Sequence, residues 1–317
     1  MLKTIGYRLL VFIPSMLFAS MVVFGLVFLI PGGVAASIAG PEASPEQLAE
    51  LEHQLGIDKP AYEQYLTWLG KTLTGDLGRS YINGADITQQ LAVRVPVTFE
   101  LALWALLIAL VVGVASGVIA AAYRGRAPDF VVVRGSGLGV AVPEFWIGML
   151  SISLFAVTLR FVPATGLVPW EAGAGEHIRS IILPAIVLSI GASSIISRIT
   201  RSSMIEVLSS TYIRTAWASG LRPRSVYPKL AFKNVAIPVV TVIGLVLGNL
   251  LGGAVFIERI FNIPGLGSFM VNAALTKDVP AIQASLLLVV VLVMVVNLFV
   301  DLSYSILDPR TRGSRRS

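Results

Sequence analysis

The sequence contains little charge and no cysteine. Only 13% of its 317 residues are Asp, Glu, Lys or Arg, against roughly a quarter in a typical soluble domain. By contrast, 55% of the residues are hydrophobic and the mean hydropathy is +0.81. This composition excludes an ordinary soluble protein and predicts a membrane protein. The absence of cysteine excludes disulfide bonds and thiolate metal sites.

Two further absences limit the chemistry of the chain. Its only histidines, His53 and His177, lie far apart in separate predicted loops, so we predict no metal site. The sequence has no G-x-x-x-x-G-K-[ST] loop that would hold the phosphates of ATP, so energy from ATP must come through a partner. The serines at positions 193, 194 and 197 lack a plausible His/Asp pair, and we predict that the chain is not an enzyme.

Six apolar stretches are long enough to cross the roughly 30 Å hydrocarbon core, which takes about 20 helical residues. They are residues 9–30, 101–122, about 135–159, 181–197, 235–257 and 282–300. The first stretch has 22 residues without charge, which is long for a signal peptide, so we expect it to be a retained span. The third contains Pro143 beside Glu144, and we expect the proline to kink its helix.

Positive charge is concentrated in alternate connections between these spans. Lys and Arg precede the first span, lie around the second-to-third and fourth-to-fifth connections, and follow the sixth span. Positively charged residues near span ends mark the cytoplasmic side. We therefore predict a multi-pass protein of the cell membrane with both termini cytoplasmic. The same arginines account for the net charge of +6 without any role for nucleic acid.

The first outside connection, residues 31–96, is long and acidic. Ser44, Pro45 and Gln47 predict a helix start, with a serine cap, proline at the first helical position and glutamine three residues after the cap. Leucines then recur at helical spacing until Gly56, where the helix is expected to end. We predict a small extracytoplasmic helical loop domain, which is either a packed loop or a contact for a soluble partner.

The connection between the fourth and fifth spans has a helix–turn–helix pattern. Ser203 and Glu206 fit a capping box, which predicts a helix start, and Gly220 stands where a glycine ends a helix. A second helix is predicted from about Ser225, with Pro228 in its first turn. The residues alone support two interpretations equally: an amphipathic hairpin that lies on anionic lipid, and a knob that fits a groove on a soluble protein.

The sequence YIRTAWASGL (212–221), followed by KLAFKNVAIPVVT (229–241), resembles the EAA loop of bacterial ABC-type importer permeases. In that pattern two alanines precede an invariant glycine by five and four residues. Here these positions are Thr215 and Ala216, and the glycine is Gly220. Arg214 replaces the acidic residue of the pattern, and Lys233 replaces its later proline.

These differences from the general pattern narrow the resemblance to one branch, the B-type subunit of the dipeptide/oligopeptide/nickel permease family. That branch typically has Arg-Thr-Ala at the positions of Arg214, Thr215 and Ala216. The segments VFIERIFNIPGLGSFMVNAALTKDVPAIQA (255–284) and TGDLGRSY (74–81) resemble the same family, as does the first span. The resemblance therefore covers nearly the whole chain.

The resemblance implies an all-α membrane fold of the type I importer kind, with a permease core over 97–307, an EAA-like loop at 203–235 and a basic cytoplasmic tail at 308–317. It implies that the hairpin is a coupling helix, which docks in a cleft of a separate ATPase subunit. The residues carried over to this role are Tyr212, Arg214, Thr215, Ala216, Trp217, Ala218, Ser219, Gly220, Leu221 and Arg222.

The implied partners are a homologous second permease, two ATPase subunits and an extracytoplasmic substrate-binding protein. ATP and Mg²⁺ would act in the ATPases, and no cofactor is expected in this chain. Relatives of the family carry dipeptides, longer peptides, glutathione, nickel complexes, haem and some sugars, and peptides are the favoured substrate. The alternative is a six-span secondary transporter or channel. Such a transporter or channel does not need the turn formed by Thr215, Ala216 and Gly220. Proteins of that class also often show internal repeats, and no repeat is visible in this sequence.

The spans hold few polar residues that could contact a substrate. An ionisable residue inside a membrane is a functional candidate, which singles out Glu144, although an ion pair with an arginine on a neighbouring helix is the structural alternative. The glycines of IPGLG (263–267) permit a tight, re-entrant-like turn. The candidate pathway residues are Glu144, Pro143, Asn249, Pro264, Gly265 and Gly267.

Two other features of the spans have structural interpretations. Glu100 opens the second span and is expected to lie at the outer interface. Asn249 can also form a hydrogen bond between helices. We expect the glycines of the fifth span to allow close packing, with a second permease as one candidate partner. These glycines are Gly244, Gly248, Gly252 and Gly253.

Overall fold

The computed structural model describes residues 2–29, 33–40, 43–222 and 225–307, and these ranges are largely helical and contain no β-strand. The helices are α1 (Leu2–Gly25), α2 (Gly33–Ala39), α3 (Pro45–Leu55), α4 (Ala61–Leu73), α5 (Ile87–Ala122), α6 (Ala127–Ala141), α7 (Glu144–Ser151), α8 (Ala174–Leu208), α9 (Thr211–Ala218), α10 (Phe232–Phe261), α11 (Leu266–Thr276) and α12 (Val279–Leu307). Short 3₁₀ or π segments occur at Leu26–Leu29, Ile152–Thr158, Trp170–Ala172 and Val226–Ala231.

The helical lengths confirm the predicted all-α membrane fold. Within the described part of the chain, five helices are long and apolar enough to cross a membrane, and α6 with α7 and its π extension makes a sixth if the bent pair is one span. The five are Leu10–Leu29, Ile87–Ala122, Ala174–Leu208, Asn234–Phe261 and Val279–Phe299. The predicted tail at 308–317 lies outside the described residues.

The third predicted span is broken rather than merely kinked. Its two halves, Ala127–Ala141 and Glu144–Thr158, meet at 99°. Val142 between them is extended, with φ −84° and ψ 127°, which is the conformation that a following proline favours. Pro143 then stands before the first residue of α7. Pro143 correctly marked the position where the span changes direction. The change of direction is a break between two helices rather than the expected kink within one helix.

Two span helices begin well before the apolar stretches that predicted them. Helix α5 starts at Ile87 rather than near 101, and α8 starts at Ala174 rather than at 181. Burial explains the first extension, because Ile87 and Leu91 lie in a hydrophobic cluster. The predicted outside connection at 31–96 therefore includes the first ten residues of α5.

The helix start predicted at Ser203 is wrong, because α8 continues through it to Leu208. No glycine or proline interrupts this stretch, and Met204 is fully buried, so the packing of the helix continues through the cap signal. Ser202 also donates its hydroxyl to the Arg198 carbonyl at 3.0 Å, a bond that a serine inside a helix can make.

The short helices follow their local signals. Ser44 and Gln47 make both bonds of the predicted capping box at the start of α3, and Gly56 ends that helix in the left-handed conformation with φ 67°. Helix α11, by contrast, was not predicted. Its 11 residues are apolar but too few to cross a membrane.

One compact unit consists of the described residues in the ranges 98–263 and 295–307. Helix α8 is the most buried of the span helices, and it packs against α6 and α10. Helix α5 approaches it so closely that a Cβ on Gly117 would lie 2.6 Å from the Thr200 Cβ and from the Ser197 carbonyl oxygen. This unit therefore depends on small residues where its helices meet.

The other unit consists of residues 2–97 and 264–294. Its hydrophobic cluster is formed by Ile87, Leu91, Leu266, Ala273, Ala281 and Ala284. Phe24 of α1 packs against Tyr65 and Trp68 of α4, with ring centroids 5.5 and 5.7 Å apart. Much of the remaining α1 surface is apolar and exposed, including Leu10 and Phe18, as expected of a helix that faces lipid.

Candidate functional sites: the hairpin and the Glu144 pocket

The hairpin predicted between the fourth and fifth spans consists of α9 and the turn after it. Only Ser209 and Ser210 separate α9 from α8. At the other end Gly220 has φ 78°, its N–H donates to the Trp217 carbonyl at 3.0 Å, and the Leu221 N–H donates to the Ala216 carbonyl at 3.1 Å. These two bonds form a Schellman motif, so Gly220 ends the helix as predicted.

Most of the hairpin surface is exposed. Ile213 and Ala216 are buried, whereas the side chains of Tyr212, Trp217 and Leu221 are 45%, 36% and 44% exposed. The other residues carried over to the coupling role are exposed as well: Arg214, Thr215, Ala218, Ser219, Gly220 and Arg222. The hairpin thus uses two small or aliphatic side chains to pack inward and presents aromatic and aliphatic side chains outward.

One contact fixes the hairpin to α10, and a second contact joins α8 to α6. Asn234 of α10 donates its amide N–H to the Tyr212 hydroxyl at 2.8 Å. Further up α8, Arg201 forms a two-pronged pair with Asp129 of α6, at 2.5 Å from Nε and 2.9 Å from Nη2. The Gly125 N–H also donates to Asp129 at 2.9 Å. The sequence did not predict this clamp, because the two charged residues lie 72 positions apart and carry no shared motif.

Glu144 lies at the break between α6 and α7, and its carboxylate faces glycines on two other helices. A Cβ on Gly191 of α8 would lie 3.2 Å from Glu144 Oε1, and a Cβ on Gly253 of α10 would lie 2.6 Å from Oε2. Gly253 therefore makes a close contact within the chain. A Cβ on the neighbouring Gly252 would meet no atom within 4 Å, so that position is not packed against the described residues.

A cavity of about 220 Å³ lies beside this carboxylate. Its walls are largely aliphatic, from α6, α8 and α10, and its polar side chains are those of Glu144 and Asn249. The structure thus brings together two of the predicted pathway residues, with Pro143 at the break. No described residue forms an ion pair with Glu144, so the expected arginine partner is wrong for the described part of the chain.

The remaining predicted pathway residues lie in the turn from α10 to α11. Pro264 is exposed, Gly265 is the cap before α11, and Gly267 is buried inside that helix. The turn is tight, but its left-handed residue is Asn262, with φ 51°, rather than a glycine. The Ile263 N–H closes the turn by donating to the Glu258 carbonyl at 2.8 Å.

A buried contact that was not predicted lies within the 2–97 and 264–294 unit. Ser80 donates its hydroxyl to Asp278 at 2.5 Å, and the Tyr81 N–H donates to the same carboxylate at 3.1 Å. Burial raises the pKa of the Tyr81 phenol, and the Asp278 carboxylate raises it further. These residues come from two segments that carry the family resemblance, TGDLGRSY and the stretch before the last span. The resemblance of both segments to the same family was the feature of the sequence that could have suggested a contact between them.

Another missed contact surrounds the second histidine. His177 is buried, its Nε2 lies 2.9 Å from a Glu100 oxygen, and its Nδ1 lies 2.6 Å from the Val168 carbonyl oxygen. The Trp170 ring stacks on it with centroids 3.9 Å apart. His177 lies in helix α8 rather than in the predicted loop. Glu100 has a structural role, because it is the hydrogen-bond partner of the buried His177 ring. No group of three or more metal-binding side chains occurs among residues that the structure describes.

The chain matches two family models. The family "Binding-protein-dependent transport system inner membrane component" matches residues 113–313, and its N-terminal companion matches residues 1–102. A Brucella abortus protein named as a peptide transport system permease is 41% identical over 300 residues, which cover 95% of this chain and 96% of the relative.

Two other relatives carry more specific names. The dipeptide transport system permease protein DppB of Alkalihalophilus pseudofirmus is 38% identical, with 96% of this chain and 98% of the relative covered. The glutathione transport system permease protein GsiC of Escherichia coli O6:H1 is 37% identical, with 98% and 99% covered.

The fold is also similar to a solved structure of the MetNI methionine ABC transporter in an inward-facing conformation. The TM-score is 0.57 at 16% identity, over 69% of this chain and 97% of the other, so the likeness concerns the fold alone. The matched family models and the near full-length relatives show the family: the chain belongs to the binding-protein-dependent transport system inner membrane components.

Proposed function

We propose that this chain is a peptide-importing permease that forms half of a translocation path and couples it to separate ATPase subunits. The named relatives transport peptides, dipeptides or glutathione, and glutathione is itself a tripeptide. Small peptides are therefore the substrate class that these relatives share. The alternative of an ATPase-independent six-span transporter receives no support from this family.

The exposed hairpin is the observation that carries the proposal. It lies directly between two span helices, with a two-residue link to α8 and a hydrogen bond from Asn234 of α10 to Tyr212. Trp217 and Leu221 are outward-facing and apolar, which suits a groove on a protein. Movement of a subunit docked on these side chains would pass to α8 through the two-residue link and to α10 through the bond between Tyr212 and Asn234.

The residues of the hairpin have separable roles in this proposal. Ala216 is buried and small, so it allows α9 to lie close to the structure beneath it. Gly220 has space around its α-carbon but a left-handed φ of 78°, so its contribution is the direction of the chain after α9. Arg214 and Arg222 are exposed and supply positive charge to the docking surface.

The proposed assembly contains this chain, a homologous second permease, two ATPase subunits that bind ATP and Mg²⁺, and an extracytoplasmic substrate-binding protein. Both termini and the hairpin would be cytoplasmic, and the helices of 31–96 extracytoplasmic. ATP binding would bring the two ATPases together, carry both hairpins with them and move the spans between inward-open and outward-open states.

The test is uptake of labelled Ala-Ala into proteoliposomes that contain the complete assembly. Wild type is expected to accumulate Ala-Ala only with ATP, whereas this chain alone should hydrolyse no ATP. Gly220→Glu should reduce uptake by about tenfold or more while the chain stays folded in the membrane, because a glutamate adds charge and disfavours the left-handed turn.

Gly220→Asn is the matched control for this test. Asparagine tolerates the left-handed conformation, so this variant should retain most of the uptake. Normal uptake by Gly220→Glu would contradict the coupling role. ATP turnover by the isolated chain, or accumulation without any ATPase, would contradict the assignment as a coupled subunit.

A further inference from the structure

The carboxylate of Glu144 lies in its pocket without a counter-charge. The pocket lining contains no Lys, Arg or His, and no described residue donates a hydrogen bond to this side chain. Glu144 is half-buried among aliphatic side chains and glycine backbone. An unpaired carboxylate in such surroundings is unfavourable, so the pocket is suited to a positively charged group.

A second acceptor points to the same place. The residue four positions after Gly139 is Pro143, which has no N–H, so the Gly139 carbonyl lacks its usual helical partner. A Cβ on Gly191 would lie 3.8 Å from that carbonyl oxygen and 3.2 Å from Glu144 Oε1. The absence of a side chain at Gly191 therefore leaves a space that a carbonyl and a carboxylate both face.

The cavity is large enough for a small polar group. Its volume of about 220 Å³ is far above the roughly 10–15 Å³ that a cavity needs to hold one water molecule. Asn249 also lines the cavity, and its side-chain amide carries an oxygen that can accept a hydrogen bond. The cavity therefore offers three kinds of hydrogen-bond acceptor: a carboxylate, a backbone carbonyl and a side-chain amide. The rest of its wall is aliphatic.

We infer that the Glu144 pocket binds the primary ammonium group of the substrate as it crosses the membrane. An ammonium group has three N–H donors, which match the carboxylate of Glu144, the carbonyl of Gly139 and the amide oxygen of Asn249. Its charge neutralises the acid in surroundings where a paired charge is far more favourable than an isolated one. The inference rests on the proposed peptide substrate, whose free amino terminus would supply the group.

The experiment measures ligand binding by saturation-transfer NMR, with the full chain and its partner permease in lipid nanodiscs. The probes are Ala-Ala and N-acetyl-Ala-Ala, which differ in the charged amino terminus. Wild type should give a signal with Ala-Ala and little with the acetylated probe, and excess potassium chloride should not displace Ala-Ala. Equal signals from both probes, or displacement by potassium, would overturn the inference.

Three variants locate the binding group. Glu144→Gln keeps the shape of the side chain and removes its charge, so Ala-Ala binding should weaken by about tenfold or more. Glu176→Gln removes the same charge from an exposed position and should bind like wild type. Glu144→Gln combined with Asn249→Asp returns a carboxylate to the pocket and should regain part of the binding.

The outcome is separable from that of the proposed function. Unchanged binding by Glu144→Gln overturns the inference, whatever the uptake assay gives. If Glu144→Gln unfolds, Glu144→Asp is the second variant, and it must retain amine-dependent binding. If wild type binds Ala-Ala through its amine but the complete assembly does not accumulate it with ATP, the proposed function fails while the pocket assignment stands.

Discussion

The hairpin and the Glu144 pocket both depend on glycine, but for opposite physical reasons. At Gly220 a Cβ would meet nothing within 4 Å, and the left-handed φ of 78° is the constraint. At Gly253 the backbone is helical, and a Cβ would lie 2.6 Å from Glu144 Oε2, so the Glu144 side chain would have to move to make room. Gly220 thus sets the direction of the chain on an exposed surface that we propose binds a partner. Gly253, by contrast, allows side chains to pack closely inside the chain.

The largest stability effect is expected in the pocket. Gly253→Leu would push against Glu144 and against Leu188, whose Cδ1 would be 3.0 Å from the new Cβ. Overpacking of this kind costs about 1–3 kcal/mol, so the full chain in detergent should unfold at a clearly lower temperature. Gly220→Asn should leave that temperature nearly unchanged, because its site is exposed and asparagine tolerates the left-handed conformation.

Gly252 provides the matched control for this prediction. It is the preceding residue on the same helix, a Cβ there would meet no atom within 4 Å, and leucine is about 1 kcal/mol better than glycine in a helix. Gly252→Leu should therefore not destabilise the isolated chain. Equal destabilisation by the two variants would mean that space at Gly253 is not the constraint.

A smaller effect is expected at the clamp between α6 and α8. Asp129 is buried and accepts bonds from Arg201 and Gly125, so Asp129→Asn, which keeps one acceptor oxygen, should lower the free energy of unfolding by about 0.5–1.5 kcal/mol. The exposed pair of Glu176 and Arg179 is the comparison. Glu176→Gln should change stability by less than about 0.5 kcal/mol, and a similar loss at both sites would contradict the account of the clamp.

Local signals in the sequence predicted much of the fold. The apolar stretches located the five long apolar helices and the bent pair. Pro143 marked the break in that pair, Ser44 marked a helix start and Gly220 marked a helix end. Each of these features is decided by neighbouring residues. The same kind of signal failed at Ser203, where the burial of Met204 within a continuous α8 outweighed a capping pattern.

The contacts that build the sites could not be predicted in this way. Asp129 and Arg201, Ser80 and Asp278, and Glu100 and His177 are pairs from distant parts of the chain. Span helices are apolar on nearly every face, so periodicity does not identify the face that meets a neighbour. Glu144 was recognisable as an unusual residue, but the glycines that its carboxylate faces were not.

The coupling claim can be tested most directly by cross-linking at the hairpin. Because the chain has no cysteine, Ser219→Cys introduces a single thiol at an exposed position of the turn. A photoreactive maleimide attached there in the complete assembly should form an adduct with an ATPase subunit. Thr74→Cys, exposed in the predicted extracytoplasmic segment, should form none. Adducts with lipid alone at position 219, or ATPase adducts at position 74, would contradict the account.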